Sequence, residues 1–138
     1  MMGRQTSRIK RWMALAEQAL NTAQITLDAD DFRATVNRAY YAIFYSASAM
    51  LLTQGLERRK HSGVISLFRE HFVKPGLIEA EYSVVYGETL VVREDADYAV
   101  EIPIDRDMAE MALDQARRFV RRMSDYLMEK GFGNAPSE

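Results

Sequence analysis

The residues best suited to chemistry fall in two short stretches. The first is Asn37-Arg38-Ala39-Tyr40-Tyr41-Ala42-Ile43-Phe44-Tyr45, an apolar run that carries an Asn, an Arg and three tyrosines. The second is Arg93-Glu94-Asp95-Ala96-Asp97-Tyr98. Stripping water from an unpaired charge is expensive, so an arginine in such a run needs water or a partner. Arg38 must therefore either snorkel to the edge of its helix or be held by a carboxylate, for which the second stretch offers the best candidates. Asn37 supplies both a donor and an acceptor, and a guanidinium is a fixed fork matched to phosphate or carboxylate. These residues predict an anion-binding cleft. Arg38 and Arg93 would face the anion, while Asn37, Tyr41 and Asp97 would shape and orient the site and Tyr98 would form a hydrogen-bonding wall. Plainer roles are open for the same residues. The tyrosines can be core with hydroxyls at its rim, and Arg93 with Asp97 can be an ion pair four residues apart that only joins two elements.

The two histidines, His61 and His71, are ten residues apart in a chain with no cysteine, which is poor spacing for a metal site, and none is expected. His61 follows Arg58-Arg59-Lys60 at a helix start. A histidine titrates near neutrality and can act as a general base, but the sequence assigns it no partner. Arg117, Arg118, Arg121 and Arg122 occupy adjacent turns of a late helix. They read as a solvated face, with contact to a phosphate backbone as the alternative. No Walker loop, Rossmann glycine pattern or zinc-protease spacing is present.

The elements that must position these groups are helical. Apolar residues at helical spacing predict a first helix over Arg8–Leu27, capped by Thr6 or Ser7. The acidic turn Asp28–Asp31 offers an N-cap for a second helix over Phe32–Gln54, stopped by Gly55. A third helix is predicted over Ser62–Val73 and ends at Pro75-Gly76, and a fourth over Leu77–Val92. Arg93–Pro103 reads as a loop, and Asp105 caps a last helix over Arg106–Lys130 stopped by Gly131. The expected fold is all-α, an antiparallel bundle of four main helices plus one short helix. A single domain is expected over residues 1–138, with its core over about 8–130 and a flexible tail from 132 to 138.

With 18 Lys and Arg against 20 Asp and Glu, the net charge is −2. That excludes a surface that is basic throughout but leaves room for a local basic patch. The absence of cysteine excludes disulfides, thiolate zinc sites and a cysteine nucleophile. The start of the chain lacks the apolar run of a secretion signal, and no segment is apolar enough to span a bilayer, so a cytoplasmic protein is expected.

The order Asn37-Arg38-Ala39-Tyr40-Tyr41-Ala42, then His61-Ser62-Gly63-Val64-Ile65 with Phe68 and Phe72-Val73-Lys74, then Arg93 and Ala96-Asp97-Tyr98, resembles the HEPN (higher eukaryotes and prokaryotes nucleotide-binding) domain family. The resemblance spans about residues 8–128. It implies a helical bundle, a homodimer, and pairing with a separate minimal nucleotidyltransferase. Many members of the family are RNA-cleaving toxins that carry Arg, a polar spacer and His where this chain has Arg93 to Tyr98. Here Asp97 and Tyr98 follow Arg93 with no histidine, and a carboxylate does not replace imidazole acid–base cycling at neutral pH without a large pKa shift. The family's ribonuclease activity is therefore not carried over. In some partnered systems a tyrosine near that motif is adenylylated, and Tyr98 holds a comparable place. The function expected is a nucleotide- or RNA-phosphate-binding module that acts with a nucleotidyltransferase and needs no cofactor. Its ligand-facing residues would be Asn37, Arg38, Tyr41, His61, Arg93, Asp97 and Tyr98. Two alternatives stay open. One is a ribonuclease toxin with a rearranged site, His61 as base and Arg93 against the developing charge. The other is a structural dimerisation module.

Overall fold

A computed structural model describes residues 2–132 of the chain. Its elements are α1 (Met2–Asp28), α2 (Phe32–Leu52), α3 (His61–Phe68), a π-helical turn over Arg69–Val73, α4 (Ala80–Tyr98) and α5 (Arg106–Glu129). No strand occurs among the described residues. The fold is the expected all-α antiparallel bundle of four long helices and one short one.

Helix α2 is the hub, packing against α1, α3, α4 and α5. Its sequence explains why. Ala39, Ala42, Ala47 and Ala49 have no exposed surface, so neighbouring backbones approach closely, while Tyr40, Ile43 and Met50 fill the spaces between them. Phe68, Phe72, Tyr86 and Phe119 complete the core on the α3, α4 and α5 side. No helix is long and apolar enough to cross a membrane among the described residues.

The helix ends follow local chemistry. The Asp31 carboxylate accepts from Ala34 N–H at 3.3 Å, and the Asp105 carboxylate accepts from Met108 N–H at 2.9 Å. Gly55, Gly76 and Gly131 have φ of +72°, +86° and +83°, and each stands where a helical segment gives way to a turn. Several boundaries differ from expectation. Helix α1 begins at Met2, so Thr6 and Ser7 lie inside it rather than capping it. Gln5 Nε2 donates to the Leu52 carbonyl at 2.7 Å, which ties that extra turn to the end of α2. Helix α2 stops at Leu52, short of Gln54, and the chain turns through Gly55. The third element starts at His61 and finishes in the π turn. Helix α4 starts at Ala80, because the chain before it folds back to bury Ile78, whose N–H donates to the Phe72 carbonyl at 2.9 Å.

The correction that matters most lies at the end of α4. Residues 93–98, expected as loop, are helical. Arg93 and Asp97 pair one turn apart, and Arg33 of α2 caps the C-terminal end. Its guanidinium donates to the carbonyls of Ala96 at 2.6 Å, Val100 at 3.2 Å and Ile102. These are carbonyls that a helix end and its exit loop leave without backbone partners. Phe132, expected at the start of the tail, packs on the core, and its N–H donates to the Leu127 carbonyl at 2.8 Å. The rest of the expected tail lies outside the described residues.

Candidate functional site

Three elements converge on one polar, aromatic cluster. Helix α2 contributes Asn37, Arg38, Tyr40, Tyr41 and Phe44, the first residue of α3 contributes His61, and the last turns of α4 contribute Arg93, Asp97 and Tyr98. Because α4 stays helical to Tyr98, Arg93 and Asp97 share a face, and Arg93 Nε lies 2.8 Å from Asp97 Oδ2. The contact is an ion pair whose N–H is not aligned on the carboxylate oxygen. Asn37 Nδ2 donates to the same Oδ2 at 3.2 Å. Asn37 Oδ1 accepts from Arg38 Nε at 3.2 Å and Nη2 at 3.1 Å. Asn37 therefore uses its donor and its acceptor to link Arg38 to Asp97.

The guanidiniums rest on aromatic faces. Arg38 stands 4.7 Å from the centre of the Tyr41 ring. Arg93 lies 5.2 Å from Tyr40, 5.6 Å from Tyr41 and 5.8 Å from Tyr98, measured to ring centres. These separations fall within cation–π range. The His61 ring packs against Phe44 at 4.2 Å between centres and edge-on to Tyr41 at 5.4 Å. Its Nδ1 is 3.1 Å from the Tyr40 hydroxyl.

Protonation follows from this packing. Burial lowers the His61 pKa from its ordinary 6.5, and the positive charge of Arg93 lowers it further, so the imidazole is neutral at pH 7. Burial pushes the Tyr40 hydroxyl up to about 12, against the opposing pull of Arg93, so it keeps its proton. Tyr40 and His61 thus share a neutral hydrogen bond. When Nδ1–H donates to the hydroxyl, Nε2 is a free base. When the hydroxyl donates to Nδ1, Nε2 carries the ring proton.

Residues 9–126 match the HEPN domain family. The chain belongs to that family. It is 39% identical over 121 residues to a Methanocaldococcus jannaschii protein named "Putative toxin MJ0605", covering 88% of this chain and 90% of that one. It is 32% identical over 119 residues to a "UPF0332 protein" of Thermotoga maritima, covering 86% and 85% of the two chains. The fold also matches the crystal structure of TT1696 from Thermus thermophilus, with a TM-score of 0.76 and 19% identity over 87% of this chain and 98% of that one.

In this HEPN domain Asn37, Arg38, Tyr41, His61, Arg93, Asp97 and Tyr98 lie in one neighbourhood. Two points that the sequence leaves open are answered. Arg38 meets no carboxylate among the described residues, since its link to Asp97 runs through Asn37 and the Tyr41 ring carries the rest of its contact. His61, which the sequence left without a partner, has Tyr40. Tyr40, for which the sequence leaves a core role open, is buried, as is Phe44, yet both also hold the histidine. A signal for Tyr40 existed, because a phenol at the centre of a buried helix needs a hydroxyl partner. Of the late arginines, Arg117 donates to Gln24, Arg118 pairs with Glu81 and Arg122 pairs with Glu79, so most of that basic run is engaged within the bundle.

Proposed function

We propose that this HEPN domain binds the phosphate groups of RNA or of a nucleotide at the α2–α3–α4 cluster. One observation carries the reading: two guanidiniums, Arg38 and Arg93, and the neutral His61 imidazole pack against the same tyrosine rings, Tyr40 and Tyr41. Arginine on an aromatic platform suits a phosphate with its base stacked nearby. Asp97 and Asn37 pre-position the two guanidiniums, which lowers the ordering cost of binding. The family likeness supports a nucleotidyltransferase partner for the same module, and Tyr98, largely exposed beside Arg93, is the hydroxyl such a partner would reach first.

The test is fluorescence anisotropy with short labelled RNAs and with ATP, on the isolated chain and on any complex with a nucleotidyltransferase. A charge-assisted hydrogen bond contributes about 1.5–3 kcal/mol, so Arg38→Ala should weaken binding about 10- to 100-fold. Unchanged affinity in both Arg38→Ala and Arg93→Met, or no binding in any form, would sink the reading.

A second reading is cleavage of the bound RNA, supported by the His61–Tyr40 pair and by the word toxin in the names of relatives. His61 Nε2 would take the proton of a ribose 2′-hydroxyl, the 2′-oxygen would attack the adjacent phosphorus, and the 5′-oxygen would leave with a proton from water. Arg93 would stabilise the charge that develops on the phosphoryl oxygens. Cleavage that persists in His61→Gln would assign it to a contaminant.

A further inference from the structure

A second surface lies away from the cluster, between α4 and α5. A groove of about 410 Å³ there is lined by Val91, Val92, Met108, Met111, Ala112 and Gln115, among others. Its outer edges are unusually apolar for solvent-facing helix. Val91 is 56% exposed and Met111 63%. On α4, Val84 and Tyr98 stand seven residues before and after Val91, 57% and 73% exposed. Residues seven apart fall on one side of a helix, so Val84, Val91 and Tyr98 form one apolar stripe along α4. An apolar stripe of this kind, rimmed by charge, is the usual mark of a protein-binding surface.

The rim determines which partner fits. Glu88 lines the groove on α4. By helix spacing Asp95 stands one turn beyond Val91 on that helix, and Asp107 and Asp114 stand one turn to either side of Met111 on α5. None of these four forms an ion pair among the described residues, and the one polar contact of a Glu88 oxygen is a 3.4 Å approach from Gln115. Beyond the end of the groove the pattern changes, where Glu79 and Glu81 are both paired to arginines of α5. A second copy docking face to face would press four unpaired carboxylates against four more, which is unfavourable. A partner of opposite rim charge would satisfy all of them.

We propose that the α4–α5 groove is the docking surface for an amphipathic helix of a partner protein, with an apolar ridge flanked by lysine and arginine. Val84 and Tyr98 are 14 residues apart on α4, so the ridge would span about 21 Å, or four turns, with anchors near i, i+7 and i+14. Tyr98 belongs both to this stripe and to the wall of the α2–α3–α4 cluster, so the docked helix would end beside that site. Docking at this groove does not depend on phosphate binding at the cluster.

The test uses two labelled helical peptides of about 15 residues with the same leucine ridge, one flanked by lysines and the other by glutamates. Anisotropy on the full chain should show binding of the lysine peptide only. Met111→Asp and Val91→Asp should each weaken it at least tenfold, while Ile25→Asp, at a comparably exposed position on α1, should leave it unchanged. All three positions face solvent, and circular dichroism checks that each variant keeps its fold. Equal binding of both peptides, or undiminished binding to Met111→Asp, would overturn the proposal. So would a wild-type dimer that Met111→Asp converts to monomer in sedimentation, since that would assign the face to a second copy of the chain.

Discussion

Replacing Arg93 by methionine removes the guanidinium and keeps most of the side-chain stem, so it isolates what the charge does. The Arg93 and Asp97 side chains are 14% and 24% exposed, between the surface pairs that contribute little and the buried pairs whose disruption is severe. Asp97 keeps the Asn37 amide after the substitution and is not orphaned. The loss of the pair should therefore cost about 1–2 kcal/mol. Loss of the ring contacts adds about 1 kcal/mol, because methionine retains the packing of the stem. The total is about 2–3 kcal/mol. With an unfolding entropy of about 2.1 cal/mol/K per residue over 138 residues, Tm should fall by about 7–10 °C. The same substitution removes the positive charge that holds the His61 pKa down, so His61 should titrate higher, although burial still keeps it below 6.5. Thermal melts at pH 7.5 read the first effect, and an NMR titration of the imidazoles, assigned with His71→Gln, reads the second. A Tm drop under about 2 °C together with an unmoved His61 would refute the reasoning, because pairing and field would then both be absent.

Three further outcomes are expected. His61 binds a proton less readily folded than unfolded, so the stability it contributes is present above pH 6.5, is lost as pH falls below that value, and levels off beneath the folded pKa; urea titrations from pH 8 to 5 should show this slope in the wild type and its absence in His61→Gln. Arg33→Met should cost about 2–3 kcal/mol by releasing three carbonyls, and amide exchange should accelerate first over residues 97–104. A Cβ at Gly87 would sit 2.9 Å from Arg69 Nη2, whose guanidinium bonds Ser83, so Gly87→Ala should be near neutral in the wild type and stabilise by about 1 kcal/mol in an Arg69→Ala background, measured by urea denaturation.

Most of the helices were legible because their signals are local. Helical spacing, the Asp31 and Asp105 caps and the glycine stops act within a few residues of where they are read. The end of α4 was not legible, since what holds it is Arg33, more than sixty residues away in sequence. The candidate site divides along the same line. Asn37, Arg38, Arg93 and Asp97 drew attention as charges and amides in apolar surroundings, which is a one-dimensional property. The Tyr40–His61 bond required knowing that α3 starts against the middle of α2, a fact of packing alone. Charge alone leaves Arg38 a choice between the edge of its helix and a carboxylate, and the Asn37 amide that bridges it to Asp97 is a third solution that only the packing discloses.

The crowding of α2 also bears on how such a domain can change over generations. Ala39, Ala42, Ala47 and Ala49 have no exposed surface, so even one added methyl group at any of them would push a neighbouring helix away. Asn37, Arg38 and Tyr41 lie on the same helix, but each is only half-buried and belongs to the polar cluster. One face of α2 is held fixed by volume while the other is free to be rewritten. A lineage can therefore exchange the groups that meet a ligand without renegotiating the bundle, and relatives with the same architecture need not share a target.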